Sequence, residues 1–348
     1  MKQIRLFSEP ARSTEERHGQ LELFGRELRA ERPRAAPARP DLARGLDRAR
    51  AFAGAALAPN TRRAYAWEWK SFAAWCGRAE VPPLPASGWT VAIYLAELAE
   101  DGHRRPAGIK VALAAICKAH EAAGAPSPRE DPAVRATWRG IRRELGTAPH
   151  QKRPLLVEDI RKAVAALPNN LEGLRDRALL LLGWSGGFRR SELVALRVGD
   201  VRQVKRGLKV IIRRSKKDQE GKGRAIGVAR GKHPETCPVA AVAKWIERAR
   251  IEEGALFRRL DRWGGVRADA VSGHFHARLV KRAAALAGLD PREYSGHSLR
   301  AGFTTAAAEA GKTERQIMRI TGHASEAMVR RYIREAELID EGLADLGL

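Results

Sequence analysis

Residues 294–302 read YSGHSLRAG, and residues 320–333 read ITGHASEAMVRRYI. The first stretch sets His297 three residues before Arg300, a spacing that puts both on one face of one helical turn. The second sets His323 nine residues before Tyr332, one of only four tyrosines in the chain. Alanine and arginine recur throughout, so each spacing alone has a bland reading as a surface arginine or a core histidine. Together they describe four polar groups able to meet around a phosphate. A metal-site reading is weaker, because the histidines are scattered, no cysteine pair accompanies them, and His274 and His276 in HFH lack partners at ligand spacing.

The charge balance points the same way. Lysine and arginine number 64 against 41 acids in 348 residues, a net charge of +23. A GC-rich genome raises alanine and arginine together, but it does not explain why the acids fail to keep pace. A polyanion is the expected partner, since neutralising phosphates with Lys and Arg supplies most non-specific affinity for nucleic acid. The longest uncharged apolar run, ALLLLGWSGGF at 178–188, is far shorter than the ~20 residues of a membrane helix. The N-terminus carries acids and no apolar core segment, so a secretory signal is not expected either. Three separated cysteines, Cys76, Cys117 and Cys237, suggest reduced thiols in a cytoplasmic protein, and a nucleic-acid partner would make it nucleoid-associated.

Residues 1–45 mix charge with Pro, Arg and Ala and lack a sustained apolar period, which predicts a disordered basic tail. In NTRRAYAWEWKSFAAWC, Asn60 or Thr61 is placed to cap a helix whose apolar face takes Tyr65, Trp69, Phe72 and Cys76. Helices follow at about 89–101, 106–123 and 133–145, the last with a basic outer face, completing a helical domain over 46–147. Residues 148–154 have linker character, and 155–348 form a second domain. There VEDIRKAVAAL and GLRDRALLLLGWSGG are helical, RSELVALRVGDV opens another helix, and LKVIIRR and GRAIGVA form a hairpin around SKKDQEGKG. Helices return from CPVAAV onward, so the expected class is mainly α with one small antiparallel β-sheet.

Breaking a phosphodiester without a metal makes definite demands. Charge grows on two non-bridging oxygens, which suits planar, permanently charged guanidinium groups. A nucleophile is needed, and a donor for the leaving oxygen. Tyrosine, with a free pKa of about 10, becomes competent beside cations or a hydrogen-bonding histidine. The chain offers such a set: Arg189 in GGFRRSEL, Lys216 in RRSKKDQ, His297 and Arg300 in GHSLRAG, and His323 and Tyr332 in TGHASEAMVRRYI. On a helix Arg189 and Arg190 would point roughly 100° apart, so only one can face the phosphate. On a strand Lys216 and Lys217 would point to opposite faces. Tyr65, Tyr94 and Tyr294 compete with Tyr332, and Tyr294 is the serious rival because it adjoins His297.

In this order and spacing the segments resemble the tyrosine recombinases of the phage integrase family. Within that family the layout is similar to the Cre-like members, through FAAWC, YSGHS and YIR. The likeness spans about 300 residues, because NTRRAYAWEWKSFAAWC resembles the opening of the family's helical core-binding (SAM-like) domain. It implies a site-specific DNA recombinase that cleaves and rejoins strands through a 3′-phosphotyrosyl intermediate, in integration, excision or resolution. It favours Arg189 over Arg190 and Lys216 over Lys217. Tyr332 would be the nucleophile and His297 its proton partner. Arg189, Arg300 and His323 would stabilise the transition-state charge, Lys216 would act as general acid, and Glu192 would hold the arginine in place. No cofactor or metal is implied. The partners implied are double-stranded DNA with inverted repeats, a homotetramer on synapsed DNA, and accessory proteins in some systems. The acidic tail EAELIDEGLADLGL, with Leu338, Ile339, Leu343 and Leu346 at helical spacing, resembles the family's exchange helix, which docks on a neighbouring protomer. The alternatives are a strand-relaxing type IB topoisomerase and a DNA-binding protein of recombinase ancestry without catalysis.

Overall fold

The computed structural model describes residues 40–100, 104–148, 151–215, 218, 220–323, 325–330, 332 and 333. The chain divides into two compact units, Met1–Pro149 and His150–Leu348.

The first unit is all helical: α1 (Pro40–Ala55), α2 (Pro59–Arg78), α3 (Gly88–Glu100), α4 (Pro106–Ala122) and α5 (Pro132–Glu144). Helix α1 begins inside the stretch expected as a basic tail, whose first 39 residues lie outside the described residues. Its leucines, alanines and arginines favour helix through propensity alone, without the apolar period that tertiary packing imposes. Helix α2 starts at Pro59 rather than at a cap on Asn60 or Thr61, and its N-cap Ala58 makes no side-chain bond. Proline's fixed φ suits the first helical position, where its missing N–H costs nothing. Trp69, Phe72 and Cys76 then pack against Tyr94 and Leu95 of α3 and Ile116 of α4, while Tyr65 sits half-buried at the edge. Buried His120 holds two segments in register, its Nε2 accepting from Ala86 N at 2.9 Å. Arg135, Arg139, Arg142 and Arg143 lie exposed along α5.

The second unit is built round α7 (Leu171–Ser185), whose Leu179, Leu180 and Leu182 have no exposed surface. Around it stand α6 (Val157–Ala165), α9 (Pro238–Arg248), α10 (Gly273–Leu286), α11 (Ser298–Glu309) and α12 (Glu314–Thr321). The expected hairpin is present as β2 (Gly207–Ile212) and β3 (Arg224–Ala229), paired antiparallel with Ile212 opposite Arg224.

Two expectations need correction. RSELVALRVGDV gives only the short α8 (Arg190–Val194), after which the chain turns and forms β1 (Val201–Val204) on the edge of the sheet. Asp200 fixes the turn that follows: its carboxylate accepts from Arg197 N at 2.9 Å and from Arg213 Nε at 2.8 Å, which caps a tight turn and ties it to the residue just after β2. The valines that follow favour strand. There is also a second sheet, β4 (Arg258–Leu260) with β5 (Val266–Ala270), where unbroken helix was expected. Its turn is closed by Asp261, which accepts from Trp263 N at 2.9 Å and Gly265 N at 2.8 Å.

His276 on α10 is 1% exposed, and its Nδ1 has no hydrogen-bond partner among the described residues. Burial, then the charges of Arg190 and His297, push its pKa down from 6.5 to about 4. The folded state therefore holds it neutral while an unfolded chain protonates it near 6.5. Stability from this group is complete above that pH and is lost as pH falls toward 4. His276→Phe should shrink the difference in unfolding free energy between pH 7.5 and pH 4.5 by up to about 3 kcal/mol. Urea unfolding of both proteins at the two pH values checks this, and an unchanged difference would refute it. In the helical unit, Phe72→Ala should cost about 3–5 kcal/mol by opening a cavity in the core, read as a lower urea midpoint.

Candidate active site

Helix α7 ends at Ser185, and the chain reverses through Gly186 and Gly187. Gly187 has φ +53, and a Cβ there would lie 2.9 Å from Phe303 Cδ1 and 3.0 Å from Thr321 Cγ2. Only glycine fits the conformation and the space. The reversal buries Phe188 and leaves Arg189 extended (φ −70, ψ 147) at the N-cap of α8. The two arginines are therefore not successive residues of one helix, as the sequence suggested. Arg190 is exposed, and its stem passes 3.1 Å from where a Gly296 Cβ would stand, whereas Arg189 turns inward.

Arg189 meets Glu192, whose side chain is fully buried. One Glu192 oxygen accepts from Arg189 Nη1 at 2.7 Å, and the other from Arg189 N at 3.0 Å and Arg224 Nη2 at 3.1 Å. Glu192 is therefore not an exposed helix acid.

The arginines converge on the C-terminal end of α12. Arg224 Nη1 donates to Ile320 O at 2.6 Å, and Arg300 Nη1 to Thr321 O at 2.6 Å. Arg189 Nη2 donates to Gly322 O at 2.6 Å. Three successive carbonyls thus take three guanidinium groups, at the end of a helix where carbonyls lack internal partners and the backbone dipole is negative. Gly322 ends the helix in the left-handed conformation (φ +63), and a Cβ there would lie 3.0 Å from Arg224 Cζ. Arg300 also donates to Gly187 O at 2.7 Å, while its Nη2 is buried without a hydrogen-bond partner among the described residues. Burial first, then Arg189 and Arg224, bring the Arg300 pKa down to about 10, against the opposing pull of Glu192 and Tyr332.

His323 follows this turn and is half-buried. Its Nδ1 lies 2.8 Å from Thr321 Oγ1, whose proton goes to Ile317 O at 2.8 Å. Nδ1 is therefore the donor in that pair, and Nε2 donates only from the imidazolium form. His297 stands exposed at the N-cap of α11, close enough for its charge to reach His276. Tyr332 is half-buried, is helical together with residue 333, and interacts electrostatically with Arg300. The other tyrosines sit elsewhere. Tyr294 is 3% exposed with its pKa raised by burial, and Tyr94 lies in the helical core with its pKa pushed up to about 12. Lys216 and Lys217 lie outside the described residues, as does the tail from residue 334. Among the described residues no group of three or more His, Cys, Asp and Glu side chains is placed to hold a metal, and no helix is long and apolar enough to cross a membrane.

Sequence reasoning missed Arg224. Its signal is the alternation of β3, in which Arg224 shares the inward face with buried Ile226 and Val228.

The phage integrase family model matches residues 153–338. An integrase/recombinase xerD homolog of Selenomonas ruminantium is 39% identical over 288 residues, covering 82% of this chain and 84% of its own. A tyrosine recombinase of Synechococcus elongatus is 29% identical over 297 residues, covering 79% and 84%. Among solved structures, the XerH recombinase in a post-cleavage complex with a palindromic difH substrate matches with a TM-score of 0.64 at 17% identity, over 94% of this chain and 95% of that one. The lambda integrase tetramer bound to a Holliday junction matches at 0.53 and 17% identity, over 92% and 85%. The chain belongs to the phage integrase family, the tyrosine recombinases. It is accordingly an enzyme of DNA strand cleavage and rejoining.

Glu192→Gln leaves two half-buried guanidinium groups facing a buried neutral amide. It should lower unfolding free energy by about 3–5 kcal/mol, read by urea denaturation. Gly322→Ala should cost at least about 1 kcal/mol, because the residue needs φ +63 and Arg224 blocks the Cβ. A wild-type midpoint in either variant would contradict this account of the turn.

Proposed function

We propose that this chain is a site-specific recombinase in which Tyr332 is the nucleophile and Arg189, Arg300 and His323 bind the scissile phosphate. Tyr332 Oη attacks phosphorus, its proton passing to His297. The bond from phosphorus to the 5′ oxygen breaks, and that oxygen takes a proton from Lys216. The products are a 3′-phosphotyrosyl bond and a free 5′ hydroxyl, which attacks the equivalent bond of a partner strand and returns the tyrosine. One phosphodiester is exchanged for another through an ester of similar energy, so the cycle balances without ATP. The observation that carries this reading is the excess of guanidinium charge within electrostatic reach of Tyr332. Against Arg189, Arg224 and Arg300 the described residues set one buried carboxylate, Glu192, which leaves room for an anion.

Assembly on DNA follows from a second feature. A groove of about 770 Å³ is lined by Trp184, Ile226, Phe303, Ile317 and Ile320, with Lys209, Lys312 and Arg319 also on its walls. Its apolar floor and basic walls suit the acidic tail EAELIDEGLADLGL, which carries Leu338, Ile339, Leu343 and Leu346. We read the tail as the exchange helix of a homotetramer on paired inverted repeats, an assembly comparable to the tetramer that lambda integrase forms on a Holliday junction. The order of FAAWC, YSGHS and YIR supports a Cre-like layout. The buried thiols of Cys76, Cys117 and Cys237 suit a reducing cytoplasm, where the enzyme would sit on the nucleoid.

The test is to mix the protein with DNA from its native genomic neighbourhood, quench with SDS, and sequence the covalent adducts. Adducts at Tyr332 on one inverted-repeat site, absent in Tyr332→Phe although the variant still binds DNA, are expected. Adducts scattered over many sequences would favour the topoisomerase reading, and tight binding with no adduct would favour the non-catalytic one. Deleting the residues after Ile339 should leave cleavage intact and abolish synapsis. Full synapsis by the truncated chain would remove the tail from the assembly.

A further inference from the structure

Arg224 stands between two parts of the site that the reaction must operate together. It is the first residue of β3, directly after the loop in which Lys216 and Lys217 fall. That loop is braced from within by its described residues. Ser215 and Asp218 exchange backbone hydrogen bonds at 3.4 and 3.1 Å across the two lysine positions. The Asp218 carboxylate accepts from Lys222 N at 2.9 Å and Gly223 N at 2.7 Å. Those backbone bonds, Gly223 first, hold the Asp218 pKa below the usual carboxylate range, so it stays a charged acceptor. Gly223 is joined to Arg224.

On its other side, Arg224 donates to Ile320 O at 2.6 Å, Thr321 O at 3.3 Å and Glu192 Oε2 at 3.1 Å. Both terminal nitrogens are engaged by protein acceptors, so Arg224 acts through its neighbours. Its side chain is 23% exposed. Three acceptors on two elements require a planar fork of donors, which a lysine ammonium does not provide.

We propose that Arg224 is a positioning residue that fastens the β2–β3 hairpin, and with it the general acid, to Glu192, the carboxylate that holds Arg189. The two ends of one displacement, the phosphate bound by Arg189 and the leaving oxygen, are then kept in register by a shared carboxylate. The register matters because small misplacement of reacting groups costs large factors in rate. This inference rests on the reading of Lys216 as general acid, and its test separates the two.

The test uses a duplex carrying the cleavage site mapped with Tyr332, made once with the ordinary 5′ oxygen and once with sulfur in the bridging 5′ position. A thiolate leaves without a proton, so sulfur bypasses the general acid and nothing else. Single-turnover adduct formation is measured for wild type, Lys216→Ala, Arg224→Lys and Asp218→Asn. Arg224→Lys keeps the charge that the fold needs, and Asp218→Asn loosens the same loop from outside the core. On the oxygen substrate Lys216→Ala should be slowed at least on the order of 10²-fold, with Arg224→Lys and Asp218→Asn slowed in the same direction. On the sulfur substrate all should return to within about tenfold of wild type, with affinity for the duplex unchanged. If Arg224→Lys stays slow on sulfur while Lys216→Ala recovers, Arg224 serves the phosphate instead and the proposal is overturned. Wild-type rates for Arg224→Lys on oxygen would overturn it too. If Lys216→Ala does not recover but Arg224→Lys does, the hairpin role stands and the general acid is another hairpin residue. If neither recovers, both assignments fall.

Discussion

The end of α12 is where this site is decided. Its last carbonyls, at Ile320, Thr321 and Gly322, have no partners within the helix, and three guanidinium groups from three distant segments supply them. Arg189 comes from the turn after α7, Arg224 from a strand and Arg300 from α11. The helix end therefore works as a template. It fixes the arginines relative to one another before any substrate arrives, and it carries His323 on the next residue. Because the carbonyls and Glu192 already orient these groups, little reorganisation is left for the moment of reaction, which is where preorganised charge is most effective.

The same arrangement leaves the site electrostatically incomplete. Burial depresses the Arg300 and Arg224 pKa values, and the charge of Arg189 adds to this at both. Among the described residues one carboxylate, Glu192, and a helix dipole offset only part of that charge. A buried cluster so loaded gains from an anion of fixed geometry, and a phosphodiester meets paired guanidinium groups on two oxygens at once. In the proposed mechanism the net positive charge of the whole chain brings DNA near, and the local excess selects the phosphate. The electrostatic interaction of Tyr332 with Arg300 joins that excess to the proposed nucleophile.

Much of this was legible in the sequence, for identifiable reasons. The spacing of His297 and Arg300 is a property of helical repeat, and the helices of the first unit after α1 follow from apolar period and breaks at proline and glycine. Gly187 and Gly322 mark left-handed backbone that favours glycine, and Gly186 leaves room for the Phe188 ring. What escaped was local competition. Asp200 fixes a turn where continued helix was expected, and Asp261 closes a hairpin where helix was expected, each by bonding backbone N–H groups that propensity does not count. The neighbours Arg189 and Arg190 could be separated only once the chain's extended conformation at the start of α8 was known.

The sequence by itself determined the class of chemistry, since residue types and spacings along the chain name a phosphate-binding set and its family. The tertiary structure alone decided which arginines share the site. Arg224 and Arg300 lie far apart in sequence, and neither local propensity nor spacing records that both reach the same carbonyl, Thr321 O. That choice is made by packing, because the end of α12 has a limited number of unpaired acceptors and only side chains brought there by the core can fill them.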